Sequence, residues 1–122
     1  MMQHGVSPAE LETPYGQVAL AFSVALLNRQ YQKAYALLGS EVCQSWPPAL
    51  LQQSYEEMVD YFDYPANEVS IESVETDLPD PDSDSAMVYV SVMGKGNVEA
   101  VVMIVANEAG QYRIQDLEMG RP

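Results

Sequence analysis

The stretch Ala86-Met-Val-Tyr-Val-Ser-Val-Met93, Gly94-Lys-Gly-Asn97, Val98-Glu-Ala-Val-Val-Met-Ile-Val-Ala106 decides the fold. Two runs rich in β-branched residues flank four turn formers, which is the pattern of an antiparallel hairpin. Both runs are apolar on both faces, so the sheet they start needs two covers. Helices can supply one, and further helices or a second subunit the other. Downstream, Asn107-Glu-Ala-Gly110 is a turn and Tyr112–Leu117 a last strand. Upstream, Glu68–Thr76 is a strand with Val69 and Ile71 on one face. Val74 is out of phase with them, which predicts a bulge. Between these strands, residues 78–84 hold two prolines and three acids and read as a loop.

Before Glu68 the period changes to that of helices. Thr13 is an N-cap and Pro14 sits at the first helical position, where its missing N–H costs nothing. Val18–Leu27 is apolar nearly all round and predicts a helix buried on most sides. Asn28-Arg-Gln30 breaks it. Tyr31, Ala34, Tyr35 and Leu38 resume at helical spacing as far as Gly39, read as a C-cap. Ser40–Trp46 predicts a helical turn ended by Pro47-Pro48. A third helix runs from Pro48 to about Phe62, with Tyr55, Met58, Val59 and Phe62 on one side. Glu56, Glu57, Asp60 and Asp63 fall on the other, and Tyr64-Pro65 ends the helix. Helices followed by a meander predict an α+β fold, with N-terminal helices packed on a curved antiparallel four-stranded sheet. Residues 1–12 read as a polar arm and residues 13–122 as one domain without repeats.

Charge narrows the function. Eighteen Asp and Glu against five Lys and Arg give a net charge of −13 in a 122-residue chain. Such a chain cannot replace phosphate counterions, which argues against nucleic acid and against an anionic membrane surface. The one cysteine, Cys43, excludes an intramolecular disulfide and a cysteine-based zinc site. Neither a signal peptide nor a membrane span is legible, so the expected compartment is the cytoplasm. No cofactor is implied.

The segment Ala21-Phe-Ser-Val-Ala-Leu-Leu-Asn-Arg-Gln-Tyr-Gln-Lys-Ala-Tyr-Ala-Leu-Leu38 and the closing strand Gly110-Gln-Tyr-Arg-Ile-Gln-Asp-Leu117 carry a resemblance. They resemble the helix pair and last strand of the nuclear transport factor 2-like (cystatin-like α+β) superfamily, over about residues 14–118. The resemblance implies a cone with a cavity between helices and sheet, and dimers formed through the sheet. Its members include isomerase-like and dehydratase enzymes, transport factors, accessory subunits and toxin-immunity proteins, so fold alone does not give function.

A dehydratase of this kind needs a cavity histidine, but the only histidine is His4, in the polar arm. An isomerase needs a buried carboxylate and a phenol. Asp60 or Asp63 with Tyr15, Tyr31 or Tyr35 are the candidates, although an acidic solvated stripe keeps a carboxylate a weak base. Asp80-Pro-Asp-Ser-Asp84 opens like a calcium loop, yet Ser85 and Ser91 stand where Gly and Glu are needed. Cys43 lacks a basic neighbour and reads as a spectator thiol. Phe22, Leu26, Trp46 and Tyr89 are the cavity-lining candidates, with Trp46 also read as a plug at one end of the cone. Met87, Met93 and Met103 read as filling for the core or for a dimer face.

The acidic distribution is the sharpest feature. Residues 34–94 contain no Lys or Arg. Glu56, Glu57, Asp60, Asp63, Glu68, Glu72, Glu75, Asp77, Asp80, Asp82 and Asp84 fall within that stretch. Glu56, Glu57, Asp60 and Asp63, with Tyr61 and Tyr64 as aromatic anchors, are the expected docking residues for a basic protein partner. An antidote to a basic toxin, or an accessory subunit of a basic enzyme, has this make-up. The binding module is expected to be a homodimer through the sheet, and the alternative is a small-molecule binder or an isomerase- or dehydratase-like enzyme using the cavity.

Overall fold

In the computed structural model, which describes residues 13–76 and 84–120, helices pack on one face of a four-stranded antiparallel sheet. The helices are α1 (Pro14–Leu27), α2 (Tyr31–Tyr35), α3 (Val42–Ser45) and α4 (Pro48–Val59). The strands β1 (Glu68–Glu75), β2 (Ser85–Gly94), β3 (Asn97–Glu108) and β4 (Gln111–Met119) form a meander in sequence order. The fold is therefore α+β, with a curved and unclosed sheet. His4 and the acids Asp77, Asp80 and Asp82 lie outside the described residues, and with them most of the calcium-like loop. Among the described residues, no helix is long and apolar enough to cross a membrane.

Alternation along the strands sorts the side chains. Val88, Val90 and Val92 of β2 share the buried face with Val101, Met103 and Val105 of β3. Ile71 of β1 faces Val90 and belongs to the same layer, and its register to β2 shifts between Ile71 and Ser73. The expected bulge stands there, and it returns Val74 to the core side opposite Val88.

α1 crosses all four strands. Thr13 accepts the Gly16 N–H at 3.1 Å as its N-cap, and Pro14 holds the first turn. Phe22 and Leu26 are wholly buried in the core, each contributing about 2 kcal/mol through burial. The outer side of α1 departs from expectation. Ala21 and Val24 are exposed, because α2 is one short turn and covers only part of it.

That short α2 also changes the role of Gly39. The helix stops at Tyr35, and the chain runs on as a parallel bridge beside β4, Leu38 pairing with Ile114. Leu37 O accepts the Ile114 N–H at 3.0 Å, and Ile114 O accepts the Gly39 N–H at 2.7 Å. Gly39 is thus a close-approach residue and not a C-cap. A Cβ there would lie 3.1 Å from Ile114 O and 2.8 Å from Glu108 Oε1. The bridge covers the β4 edge. Among the described residues no strand pairs with the other edge of β1, which carries Glu68, Glu72 and Glu75, charges that discourage strand addition.

Gly39→Ala is expected to lower stability by about 1–3 kcal/mol, the usual cost of overpacking against backbone. Urea unfolding of the variant measures it, and an unchanged midpoint would mean that the bridge does not hold the edge.

Candidate functional site

The acidic site is built at the C-terminal end of α4. Tyr55 and Met58 bury their side chains, which turns Glu57 and Asp60 outward. The helix ends at Val59 rather than Phe62, so Asp60 is its C-cap. Glu56, Glu57 and Asp60 therefore meet the negative pole of the helix dipole, with no basic residue in that turn. Each such contact opposes the helix by about 0.3–1 kcal/mol.

Only Glu56 is extensively compensated. Arg29 Nη1 stands 3.5 Å from its Oε2, the Tyr31 hydroxyl donates to that oxygen at 3.1 Å, and Gln52 Nε2 donates at 3.3 Å. Burial, then the bond to Glu56, push the Tyr31 phenol up to about 12. Arg29 itself closes α1. Its N–H bonds to Leu26 O at 3.0 Å and the Gln30 N–H to Ala25 O at 2.8 Å, the double bonding of a Schellman cap. Glycine normally fills that position, but here Arg29 takes a φ of 59° and carries a guanidinium to Glu56.

Beyond Val59 the chain straps across the end of the β2–β3 hairpin. The Tyr61 hydroxyl donates to Val98 O at 3.1 Å, and the Asp63 N–H donates to Asn97 Oδ1 at 3.2 Å. Gly94 lets the strap come close, since a Cβ there would stand 2.9 Å from Phe62 Cδ2. Lys95 Nζ lies 5.1 Å from the centroid of the Tyr64 ring. Tyr61 and Tyr64 remain 51% and 55% exposed.

The six expected docking residues thus gather at one end of the molecule, divided between two clefts. One, of about 540 Å³, is lined by Arg29, Glu56, Asp60, Asp63 and Tyr64 among others. The second, of about 530 Å³, lies between α4 and the β3–β4 ladder and is lined by Ser54, Glu57, Met58, Tyr61, Met119 and Glu99. Glu99 was not among the expected site residues. It occupies the row of Val101, Met103 and Val105, so strand parity alone places a carboxylate on the core face. It is only 9% exposed, and its Oε1 has no hydrogen-bond partner. A buried polar oxygen left without a hydrogen bond costs the free protein its lost hydration.

The cavity candidates do not form one wall. Phe22 and Leu26 are fully buried in the packed core, and Trp46 is half-buried against it. Tyr89 points out of the opposite sheet face, pairing with Ser73 and Val102. It shares that outer face with Met87 and Met93, while Met103 is in the core. Cys43 is half-buried and its thiol donates to Ser40 O at 3.4 Å. Among the described residues, no three His, Cys, Asp or Glu side chains come together as metal ligands.

A third polar cluster ties the start of β2 to α1 and β4. Asp84 accepts from the Tyr15 hydroxyl at 2.5 Å, the Tyr112 hydroxyl at 2.7 Å and Asn107 Nδ2 at 3.2 Å. The two rings meet edge to face at 5.5 Å. The Tyr15 bond first, then that from Tyr112, hold the Asp84 carboxyl below its ordinary range. Hydrogen bonds, chiefly from Gln115, do the same for Glu108. A depressed pKa suits a structural clip and is the reverse of what a general base needs.

No protein-family model matches the chain, and no curated protein matches it either. Fold and site together define an α+β domain with a carboxylate-rich helix end flanked by two exposed tyrosines.

The clip has a pH signature. Asp84 has a lowered pKa, so its contribution is present above the unfolded value and is lost as pH falls through the folded one. Tyr15 is raised from 10.0 to about 12, mainly by its bond to Asp84, so its contribution is intact below pH 10 and lost on rising toward 12. In a carbon-13 NMR titration, Tyr15→Phe is expected to move the Asp84 midpoint upward. Equal midpoints in the two proteins would refute the clip.

Proposed function

We propose that this chain is a non-catalytic acidic binding module that engages a basic protein through the C-terminal end of α4 and the strap after it. The observation that supports this is the placement of Glu57 and Asp60, exposed at a helix end whose dipole opposes them. A one-signed field speeds encounter with an opposite charge, and exposed tyrosines are frequent carriers of interface energy. The resemblance to the nuclear transport factor 2-like superfamily is part of this reading, and within it an immunity or accessory role is the sharpest form. The packed surroundings of Phe22 and Leu26 favour it over a ligand inside the cone.

The test is a pull-down from native lysate at low and high salt, with Glu56→Lys/Glu57→Lys/Asp60→Lys as the control bait. One basic partner, released by salt and absent from the control, is expected. Independently, Glu57→Gln and Asp60→Asn should each raise the stability of the free protein by about 0.3–1 kcal/mol. Equal recovery on both baits would end the acidic-docking reading.

We also propose that two copies pair through the outer sheet face. Tyr89 and Val98 are 37% and 50% exposed there, and Met87, Met93, Val102 and Ile104 extend the same apolar row. A two-fold pairing would set this row against itself. Sedimentation should give twice the 13.5 kDa chain mass, and Val102→Glu should restore the single mass. A wild-type monomer at tens of micromolar would dismiss the dimer.

A further inference from the structure

The cleft beside Glu99 has a construction that the acidic surface around it lacks. Its inner acceptor is a carboxylate 9% exposed, with one oxygen unused by any hydrogen bond. A carboxyl group can accept more than one donor, and the unpartnered Oε1 is shielded from solvent, so a side-chain turn toward the cleft would give a donating, positively charged ligand an acceptor there. The walls are of a different kind. Met58 and Met119 present thioether chains, and the Tyr61 ring is fixed by its hydroxyl bond to Val98 O. Gly120 closes the end near Met58, held by its N–H bond of 2.8 Å to Ala100 O. At the mouth stand the Ser54 hydroxyl and the exposed Glu57 carboxylate. Apolar walls, an inner carboxylate and a second carboxylate at the rim match a cation carried on an aliphatic stem. That is the form of an arginine or lysine side chain.

Four of the chain's own five cations are engaged or placed elsewhere. Arg29 pairs with Glu56, Arg113 donates to Ala36 O, Lys95 lies over Tyr64, and Lys33 lines a groove between α1 and α2. The fifth, Arg121, is outside the described residues.

We infer that the cleft between α4 and the β3–β4 ladder is an anchor pocket for one arginine or lysine side chain of a partner protein, with Glu99 as its inner acceptor. The inference rests on the docking function proposed above and specifies how the basic partner is held. Surface carboxylates would steer the partner, while the Glu99 contact would fix its register and slow its release. Glu99 is then a group whose unfavourable burial in the free protein is relieved on binding.

The closing experiment uses the full chain with carbon-13-labelled methionine methyls, titrated with N-acetyl-arginine amide and, as neutral control, N-acetyl-glutamine amide. The arginine probe should shift Met58 and Met119 saturably while leaving Met87 and Met103 in place. Glu99→Gln should weaken that binding about tenfold or more. Glu99→Met should do the same while raising the melting temperature of the free protein, where a purely structural Glu99 would lower it. Neutralising the other cleft with Glu56→Gln/Asp60→Asn/Asp63→Asn should weaken the probe less than about threefold, through the long-range field only. Arg121→Ala should leave probe affinity unchanged, and a gain there would make Arg121 the occupant and overturn the proposal. Absence of shifts at Met58 and Met119, or equal affinity in Glu99→Gln, would overturn it as well. In the pull-down, a basic partner held equally by wild-type and Glu99→Gln baits would remove the anchor but leave the docking surface. No partner at all would remove both.

Discussion

The two-residue period of β2 and β3 is the constraint on which the molecule depends. It sets Val88, Val90 and Val92 beside Val101, Met103 and Val105 in one continuous apolar face. The two long helices are then located by their share in covering that face, while α2 packs on α1 and α4. α1 crosses it with Phe22 and Leu26, while α4 reaches one end with Leu51, Tyr55 and Met58. Cover runs out where α4 stops, at Val59. Glu99 lies in the same face, and the cleft beside it is lined by the last turn of α4. The site is therefore a consequence of the fold's layout, formed where the covering helix is too short for the strand beneath it.

Much of the architecture was legible because local signals agree with each other. Thr13-Pro14, the Gly94–Asn97 turn and the phase shift near Val74 each state their structure within a few residues. The failures share a different cause. Tyr31–Gly39 has helical spacing, but Ile114 offers the backbone of Leu37 and Gly39 hydrogen bonds that a helix could not satisfy there. That competitor lies more than seventy residues away in sequence and leaves no mark near Gly39. α4 stops at Val59 for the same kind of reason, since the wheel continues through Phe62 while the strap is held by Val98 and Asn97.

The docking residues could be gathered from sequence because acidity in a stretch without Lys or Arg is a compositional fact. Their division into two clefts could not, because it depends on where α4 ends in space. Tyr89 and Glu99 show the same limit from opposite sides. Both follow from strand parity, Tyr89 alternating with the buried valines of β2 and Glu99 in phase with the buried row of β3. When both faces of a strand read as apolar, parity does not reveal which face the helices will cover. The sequence pattern alone therefore places Tyr89 inward and does not single out Glu99, whereas the helices cover the face that carries Glu99.

The carboxylates are not equivalent, and their positions separate their uses. Solubility is served by negative charge at almost any exposed position, so it does not select a helix C-terminus. Glu68, Glu72 and Glu75 lie on β1, the edge strand of the described sheet, where charge discourages strand addition. Asp84 clips β2 to α1 and β4, and Glu108 receives bonds from Ser40 and Gln115 beside the β4 bridge. Glu56 joins α4 to the end of α1 through Arg29. Each of these has a structural return. Glu57 and Asp60 oppose the helix dipole, Glu57 with only a 3.3 Å bond from Gln53 Nε2 to set against it, and Glu99 is buried without a partner on Oε1. Under the docking function proposed above, the cost these residues carry in the free protein is what a basic partner would offset.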